Sequence, residues 1–311
     1  MKIFLWHVHG SWTTAFVQGS HEYLVPVLPD RSPDGLGRAR TWDWPSSVRE
    51  LTPEQAAAED VDVVIMQRPR ELDGLAEQWL RRRPGRDLRA IYLEHNAPEG
   101  AISEMRHPAA DRPDLTLVHV THFNDLFWDA GGTPTRVIEH GVVDPGYRYT
   151  GRLPRAVAVI NEAPRRGRIT GTDLLPELGR EVPIDLFGMD AARLGGYEDL
   201  PQSRLHDEIP QRRVYLHPVR WTSLGLSLIE AMQLGMPVVA LATTEVNEAV
   251  PAEAGVVSNR LPVLKSALRR LANDRDEAKA MGEAGRDAAV RRYGLDRFLK
   301  DWDVLFSEVA A

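Results

Sequence analysis

A length of 311 residues suits two domains of roughly 150 residues each, and 43% hydrophobic with 27% charged residues, 24 Gly and 22 Pro match ordinary globular proteins, excluding disordered and collagen-like chains. The absence of cysteine excludes disulfides, thiolate catalysis, zinc fingers and iron–sulfur clusters. A formal net charge of −7 offers no overall basic field to a nucleic-acid backbone, so nucleic acid is not an expected partner.

The opening segment MKIFLWHVHG carries one Lys and an apolar run too short for a secretory signal, and it reads as a first β-strand. No window nears the ~20 apolar residues of a membrane span, so a cytoplasmic protein is expected. Further β-branched runs follow at 61–67, 89–95, 115–121 and 135–143. Helical patterns fall between them, including Thr52 to Glu59, with Pro53 at its start, and Leu72 to Arg83, stopped by Pro84-Gly85. Arg81-Arg82-Arg83 closes that helix, where cations complement the dipole; a peripheral membrane contact is the other use of such a run.

The turn-rich segment DPGYRYTGRLPR (144–155) breaks the pattern, and a second series begins with strands at 155–161, 182–188, 213–218, 236–242 and 254–258. Helices are predicted over Thr172 to Gly179, Leu224 to Leu234, Pro262 to Asn273 and Asp276 to Arg291, with a final amphipathic stretch from Asp296 to Val309. The grammar is that of an α/β protein with two Rossmann-like domains facing across a cleft, residues 1–148 and 149–295.

Several signatures are missing. Gly35-Leu36-Gly37 lacks the third glycine of a dinucleotide fingerprint, and no G-K-[ST], H-E-x-x-H or G-x-S-x-G occurs. His119 and His122 have no carboxylates at metal spacing, so no metal site is expected.

The densest signal is YLHPVRWTSLGLSLIEAMQLGMPVVALA, residues 215–242. A strand ending at His217-Pro218 runs into a loop and then a helix opening near Ser223-Leu224-Gly225, whose amides and dipole suit an anion such as a diphosphate. Glu230, on that helix, is placed to accept hydrogen bonds from sugar hydroxyls. A strand–loop–helix with one Glu is also an ordinary structural unit.

This stretch resembles the hallmark segment of retaining glycosyltransferases of the GT-B fold, family 4, where a Pro-Ser-Arg-x-Glu loop leads into Gly-Leu and Glu-Ala-Met-Ala-x-Gly-x-Pro-Val-Val-Ala. Pro218 and Arg220 match the loop, Gly225-Leu226 the Gly-Leu, and Glu230-Ala231-Met232 with Gly235, Pro237, Val238, Val239 and Ala240 the remainder. The resemblance implies that Glu230 holds the nucleotide ribose. The family's first glutamate, seven residues earlier, is here Thr222, which cannot supply a carboxylate to the donor sugar.

The family's diphosphate-neutralising basic residues correspond to Arg165-Arg166-Gly167-Arg168, with Arg166-Gly167 in the Lys-Gly place and Asn161 replacing an arginine. A solvated arginine turn before a helix is the plainer reading of the same residues. His9-Gly10-Ser11 stands where the family has a glycine-rich loop against the donor phosphates, and Glu94-His95-Asn96 where it often carries a histidine facing the donor sugar. Glu248 matches a family glutamate after the 236–242 strand, and the helix 296–311 resembles the GT-B crossover helix that returns to the first domain.

The resemblance thus implies a retaining, metal-independent transferase moving a sugar from a nucleoside diphosphate sugar to the hydroxyl of a small-molecule or glycan acceptor held mainly by the first domain. His95, Arg166 and Glu230 form the expected catalytic set, and Gly10, Arg165, Arg168, Arg220, Thr222, Ser223, Leu224, Gly225 and Glu230 the donor site. The nucleotide sugar is a co-substrate and no cofactor is expected. Two rival readings use the same fold: a nucleotide-sugar 2-epimerase, and a catalytically silent scaffold suggested by Thr222.

Overall fold

A computed structural model describes residues 1–198 and 200–310; Ala311, the end of the helix expected over 296–311, lies outside the described residues. The chain forms two compact units, Met1–Val143 with Leu295–Ala311, and Asp144–Gly294.

The first unit contains β1 (Lys2–Leu5), α1 (Gly10–Phe16), β2 (Glu22–Pro26), β3 (Val48–Leu51), α2 (Pro53–Ala58), β4 (Val63–Met66), α3 (Ala76–Leu80), β5 (Arg89–Glu94), β6 (Thr116–His119), α4 (His122–Phe127) and β7 (Thr135–Val137). Its sheet order is β3-β2-β1-β4-β5-β6-β7, and every pairing is parallel. Such a sheet is covered on both faces, which explains why β4 and β5 are near-continuous apolar runs with Val63–Met66 fully buried. The order reverses between β1 and β4, and the carboxyl ends of strands at such a reversal are where open α/β sheets receive ligands.

Local chemistry fixes several boundaries. Thr52 caps α2 by accepting from the Gln55 amide, Gln55 returns the bond to the Thr52 amide at 2.9 Å, and Pro53 fills the first helical position. The single helix expected over Leu72 to Arg83 is instead interrupted: Gly74 at φ +123° breaks the turn 71–75, and Arg81 in the left-handed region ends α3. The C-terminal helix, Leu295–Ala310, packs in this unit through Phe298, Trp302, Leu305 and Phe306, a stripe at i, i+4, i+7 and i+8. Trp302 meets Trp12 at 5.8 Å and Phe16 at 5.0 Å between ring centroids, both edge-on, within a buried aromatic cluster.

The second unit contains β8 (Leu153–Val159), α5 (Ala163–Thr170), α6 (Leu175–Leu178), β9 (Ile184–Phe187), α7 (Gln202–Glu208), β10 (Arg212–His217), α8 (Leu226–Gln233), β11 (Val238–Ala240), α9 (Val246–Ala249), β12 (Gly255–Val257), α10 (Leu261–Asn273) and α11 (Arg275–Tyr293). Its sheet is again parallel, in the order β12-β11-β10-β8-β9. Here the reversal lies between β8 and β10. The loops leaving these two strands lead into α5 and α8, the elements that carry Arg166 and Glu230. The segment after Val143 belongs to this unit: the Arg148 amide donates to the Leu234 carbonyl at 3.1 Å and the Tyr149 hydroxyl to the Arg213 carbonyl at 3.0 Å. Among the described residues no helix is long and apolar enough to cross a membrane.

Candidate functional site

In the second unit β8 delivers the chain to Glu162, which takes a left-handed conformation before α5, and α5 is itself broken at Gly167. The arginines on this short element differ sharply. Arg165 is exposed and paired with Glu162 at 2.5 Å. Arg168 reaches Asp173 at 3.1 Å, and the same carboxylate takes Arg220 at 2.5 Å. Arg166 is half-buried and makes no ion pair among the described residues; burial, and then the charge of Arg165, hold its guanidinium below the ordinary range. Glu162, whose ion pair goes to Arg165, attracts Arg166 only from a distance, and a partly desolvated cation without a direct ion pair is costly unless a ligand supplies one.

The β10 loop is stitched to α5. The Arg220 amide donates to the Ile169 carbonyl at 2.8 Å, and the Arg220 side chain to the Arg168 carbonyl at 2.8 Å. Arg220 therefore spends its donors on Asp173 and the backbone, acting as a brace for the loop. Gly171, in the left-handed region at φ +72°, closes α5 where a β-carbon would run into the Pro218 carbonyl.

Ser223 and Leu224, expected at the helix opening, are buried in the loop, Thr222 is half-buried, and α8 starts one residue after Gly225. Gly225 is the N-cap, with no side chain capping the helix, and a β-carbon there would lie 2.8 Å from Cε1 of His217. His217 is buried with Nε2 unpartnered, and burial pushes its pKa down to about 4. The site thus combines a positive helix end with the Arg166 guanidinium at one end of the sheet.

Glu230 is buried on α8. Its Oε2 accepts from Gln202 Nε2 at 2.8 Å and lies 3.4 Å from His206 Nε2, both on α7. Neither α7 residue was singled out in the sequence, although Gln202 and His206 are spaced i, i+4 and so share one helix face.

In the first unit His95 stands at the end of β5, buried, with Nε2 3.0 Å from Gln67 Oε1. Its ring lies 4.1 Å from that of His9, 5.1 Å from Trp12 and 6.4 Å from His140. Burial, and then the neighbouring imidazoles, hold His95 well below the ordinary histidine value; burial brings His9 to about 4 and His140 to about 3. These groups are neutral at pH 7. Gly10 opens α1, where a β-carbon would meet Trp42 Nε1 at 3.5 Å and His7 Nε2 at 3.8 Å, ordinary contacts, so sterics do not demand glycine there. His9, from the His9-Gly10-Ser11 segment, completes a cluster with Gln67 and His140, which sequence reasoning missed; the signal for Gln67 was a polar residue closing the apolar strand Val-Val-Ile-Met. Among the described residues no group of three His, Asp or Glu is placed to hold a metal ion.

Residues 195–288, which include α7, the β10 loop and α8, match the family described as glycosyl transferases group 1. No curated protein sequence matches the chain. Among solved structures, sucrose-phosphate synthase from Thermosynechococcus elongatus is similar at 14% identity and a TM-score of 0.75, with 99% of each chain covered. HepE of Anabaena, solved in complex with UDP and glucose, is similar at 15% identity and 0.72, covering 99% of this chain and 100% of that one. A glycosyltransferase from Rickettsia africae is similar at 12% identity and 0.66, covering 99% and 98%. The chain therefore has the GT-B fold, and a segment of its second unit matches the glycosyl transferases group 1 family.

Proposed function

We propose that the protein is a glycosyltransferase that moves a sugar from a nucleoside diphosphate sugar to an acceptor hydroxyl with retention of anomeric configuration. The observation that carries this reading is Arg166. It is half-buried and has no ion pair, while Arg165, Arg168 and Arg220 around it each hold a carboxylate. It stands at the strand-order reversal of its sheet, where α/β folds receive ligands. A diphosphate supplies the missing counter-ion, and a guanidinium fork matches its oxygens.

In this reading Arg166 and the open end of α8 stabilise the charge that develops on the leaving diphosphate. Glu230, steadied by Gln202, accepts from the ribose hydroxyls. The bond from the anomeric carbon to the diphosphate breaks, the departing phosphate oxygen takes the acceptor proton, and the acceptor oxygen bonds the same face of the sugar. The nucleotide sugar is a co-substrate, and no cofactor is part of the proposal. The first unit holds the acceptor among groups that are uncharged at pH 7, which suits hydroxyls.

The test is a panel of nucleoside diphosphates and their sugars, read as thermal stabilisation and then as transfer. UDP comes first, because HepE is solved with it. A ligand at a hundred times its dissociation constant adds about 2.7 kcal/mol. Stabilisation by one diphosphate, with transfer or donor hydrolysis and a retained anomeric configuration by NMR, supports the proposal. No shift with any of them contradicts it. Binding without transfer or hydrolysis favours a silent scaffold, the reading to which Thr222 points.

A further inference from the structure

The tautomer of His95 follows from buried hydrogen bonds that run back to the main chain. Gln67 leaves the end of β4, and its Nε2 lies 2.7 Å from the Trp6 carbonyl oxygen just after β1. A carbonyl only accepts, so the amide atom facing it must be the nitrogen, which settles the orientation of the side chain. The other end of the amide is then Oε1, an acceptor, and it lies 3.0 Å from Nε2 of His95. His95 must meet it with a proton on Nε2.

The surroundings leave this arrangement little freedom. The Gln67 amide N–H donates to Glu71 Oε2 at 2.5 Å, and the Arg68 amide donates to the same oxygen at 3.2 Å, so the 67–71 turn closes on a carboxylate that is itself fully buried. Arg68 Nε donates to Glu71 Oε1 at 2.6 Å and completes the clamp. Gln67 and His95 are both buried, and the His95 ring is walled by His9, Trp12 and His140. Burial keeps the imidazole uncharged, so one ring nitrogen carries the proton and the other a lone pair.

We propose that Gln67 is a positioning residue that holds His95 as the Nε2–H tautomer and keeps Nδ1 as a fixed lone-pair acceptor for a substrate hydroxyl. The proton on Nε2 stands on the hydrogen bonds and the Nδ1 lone pair on the burial that keeps the ring uncharged; the hydroxyl it receives rests on the transferase reading above. In an acceptor or donor sugar, a hydroxyl donates to Nδ1 without displacing a proton, so a free hydroxyl fits, whereas an acylated position has no proton to donate and loses the bond.

The experiment is a long-range proton–nitrogen NMR spectrum of the full chain labelled with nitrogen-15 histidine at pH 7, with His95 assigned by its disappearance in His95→Gln. The expected pattern is a protonated Nε2 and an unprotonated Nδ1. A protonated Nδ1, or rapid averaging between tautomers, in the wild-type protein overturns the proposal whether or not any variant folds. Gln67→Met keeps the length and removes the acceptor, and the preference for Nε2–H is then expected to be lost while the other histidines keep their signals; an unchanged His95 pattern there also overturns it. Once a donor and acceptor are known, Gln67→Met is expected to lower transfer by at least tenfold while leaving nucleoside diphosphate affinity within threefold. If no nucleoside diphosphate binds the wild-type protein, the transferase reading fails while the tautomer is still read directly.

Discussion

The two units place polar groups at the reversal of a parallel sheet by opposite means. In the first, the chain leaving β1, β4 and β5 carries the half-buried His9 and the buried Gln67 and His95, close to Trp12 and uncharged at pH 7. In the second, the ends of β8 and β10 lead to Arg166 and to α8 with Glu230, and the half-buried Arg166 keeps its charge because a guanidinium does not give up its proton in a protein. The proposed division of partners follows this difference: an anion would find a cation in Arg166 of the second unit and none among the first unit's uncharged imidazoles, which suit neutral hydroxyls.

The largest expected effect isolates the first unit. Trp302 is buried against Trp12, Phe16 and Phe306, and Trp302→Ala is expected to cost about 3–5 kcal/mol, read by denaturant unfolding. Hydrogen exchange is expected to show the loss in residues 1–143 and 295–310, with the second unit still protected.

Acid comes next and sharpens the same contrast. An imidazole that stays neutral in the folded chain but titrates near 6.5 when unfolded leaves the unfolded state binding more protons as the pH falls. Stability is therefore whole above pH 6.5 and declines toward pH 4, by about 1.4 kcal/mol per pH unit for each such group. His9, His95, His119 and His140 are held low in the first unit and His217 in the second. Exchange protection at pH 5 is expected to fail first in the first unit; equal loss in both would remove the histidine cluster as the cause.

Smaller effects separate the arginines. Arg166→Ala is expected to weaken nucleoside diphosphate binding by at least tenfold, about 1.4 kcal/mol, measured calorimetrically. Arg165→Ala is expected to change it by less than about threefold, because its exposed side chain already pairs with Glu162. Equal losses in the two variants would mean that burial and pairing do not distinguish them.

What the sequence made legible follows the same division. Strands that are continuous apolar runs, such as Val63–Met66 and Val238–Ala240, announce a parallel buried sheet, and the two-sheet α/β class followed from them. β2 and β3 did not stand out: β3 is a four-residue edge strand with an exposed Arg49, reached through a Pro- and Gly-rich stretch between Pro26 and Pro45. α5 was equally hidden, because APRRGRIT has no apolar period and breaks at Gly167. Arg166 and Glu230 were singled out by motif, but their surroundings were not readable. The motif picks Arg166 out by the glycine after it, but which of Arg165 and Arg166 pairs with Glu162 is decided only by folding, which gives Glu162 to Arg165. The Gln67–His95 contact spans 28 residues and exists because β4 and β5 are neighbours in the sheet.

The most direct test of the account is a calorimetric titration of UDP and the other nucleoside diphosphates into wild-type protein, Arg166→Ala and Glu230→Ala. One diphosphate is expected to bind the wild type and to bind each variant at least tenfold more weakly, with both variants folded by circular dichroism. Binding that survives both substitutions, or no binding to the wild type at all, would contradict the assignment of the second unit as the nucleotide site.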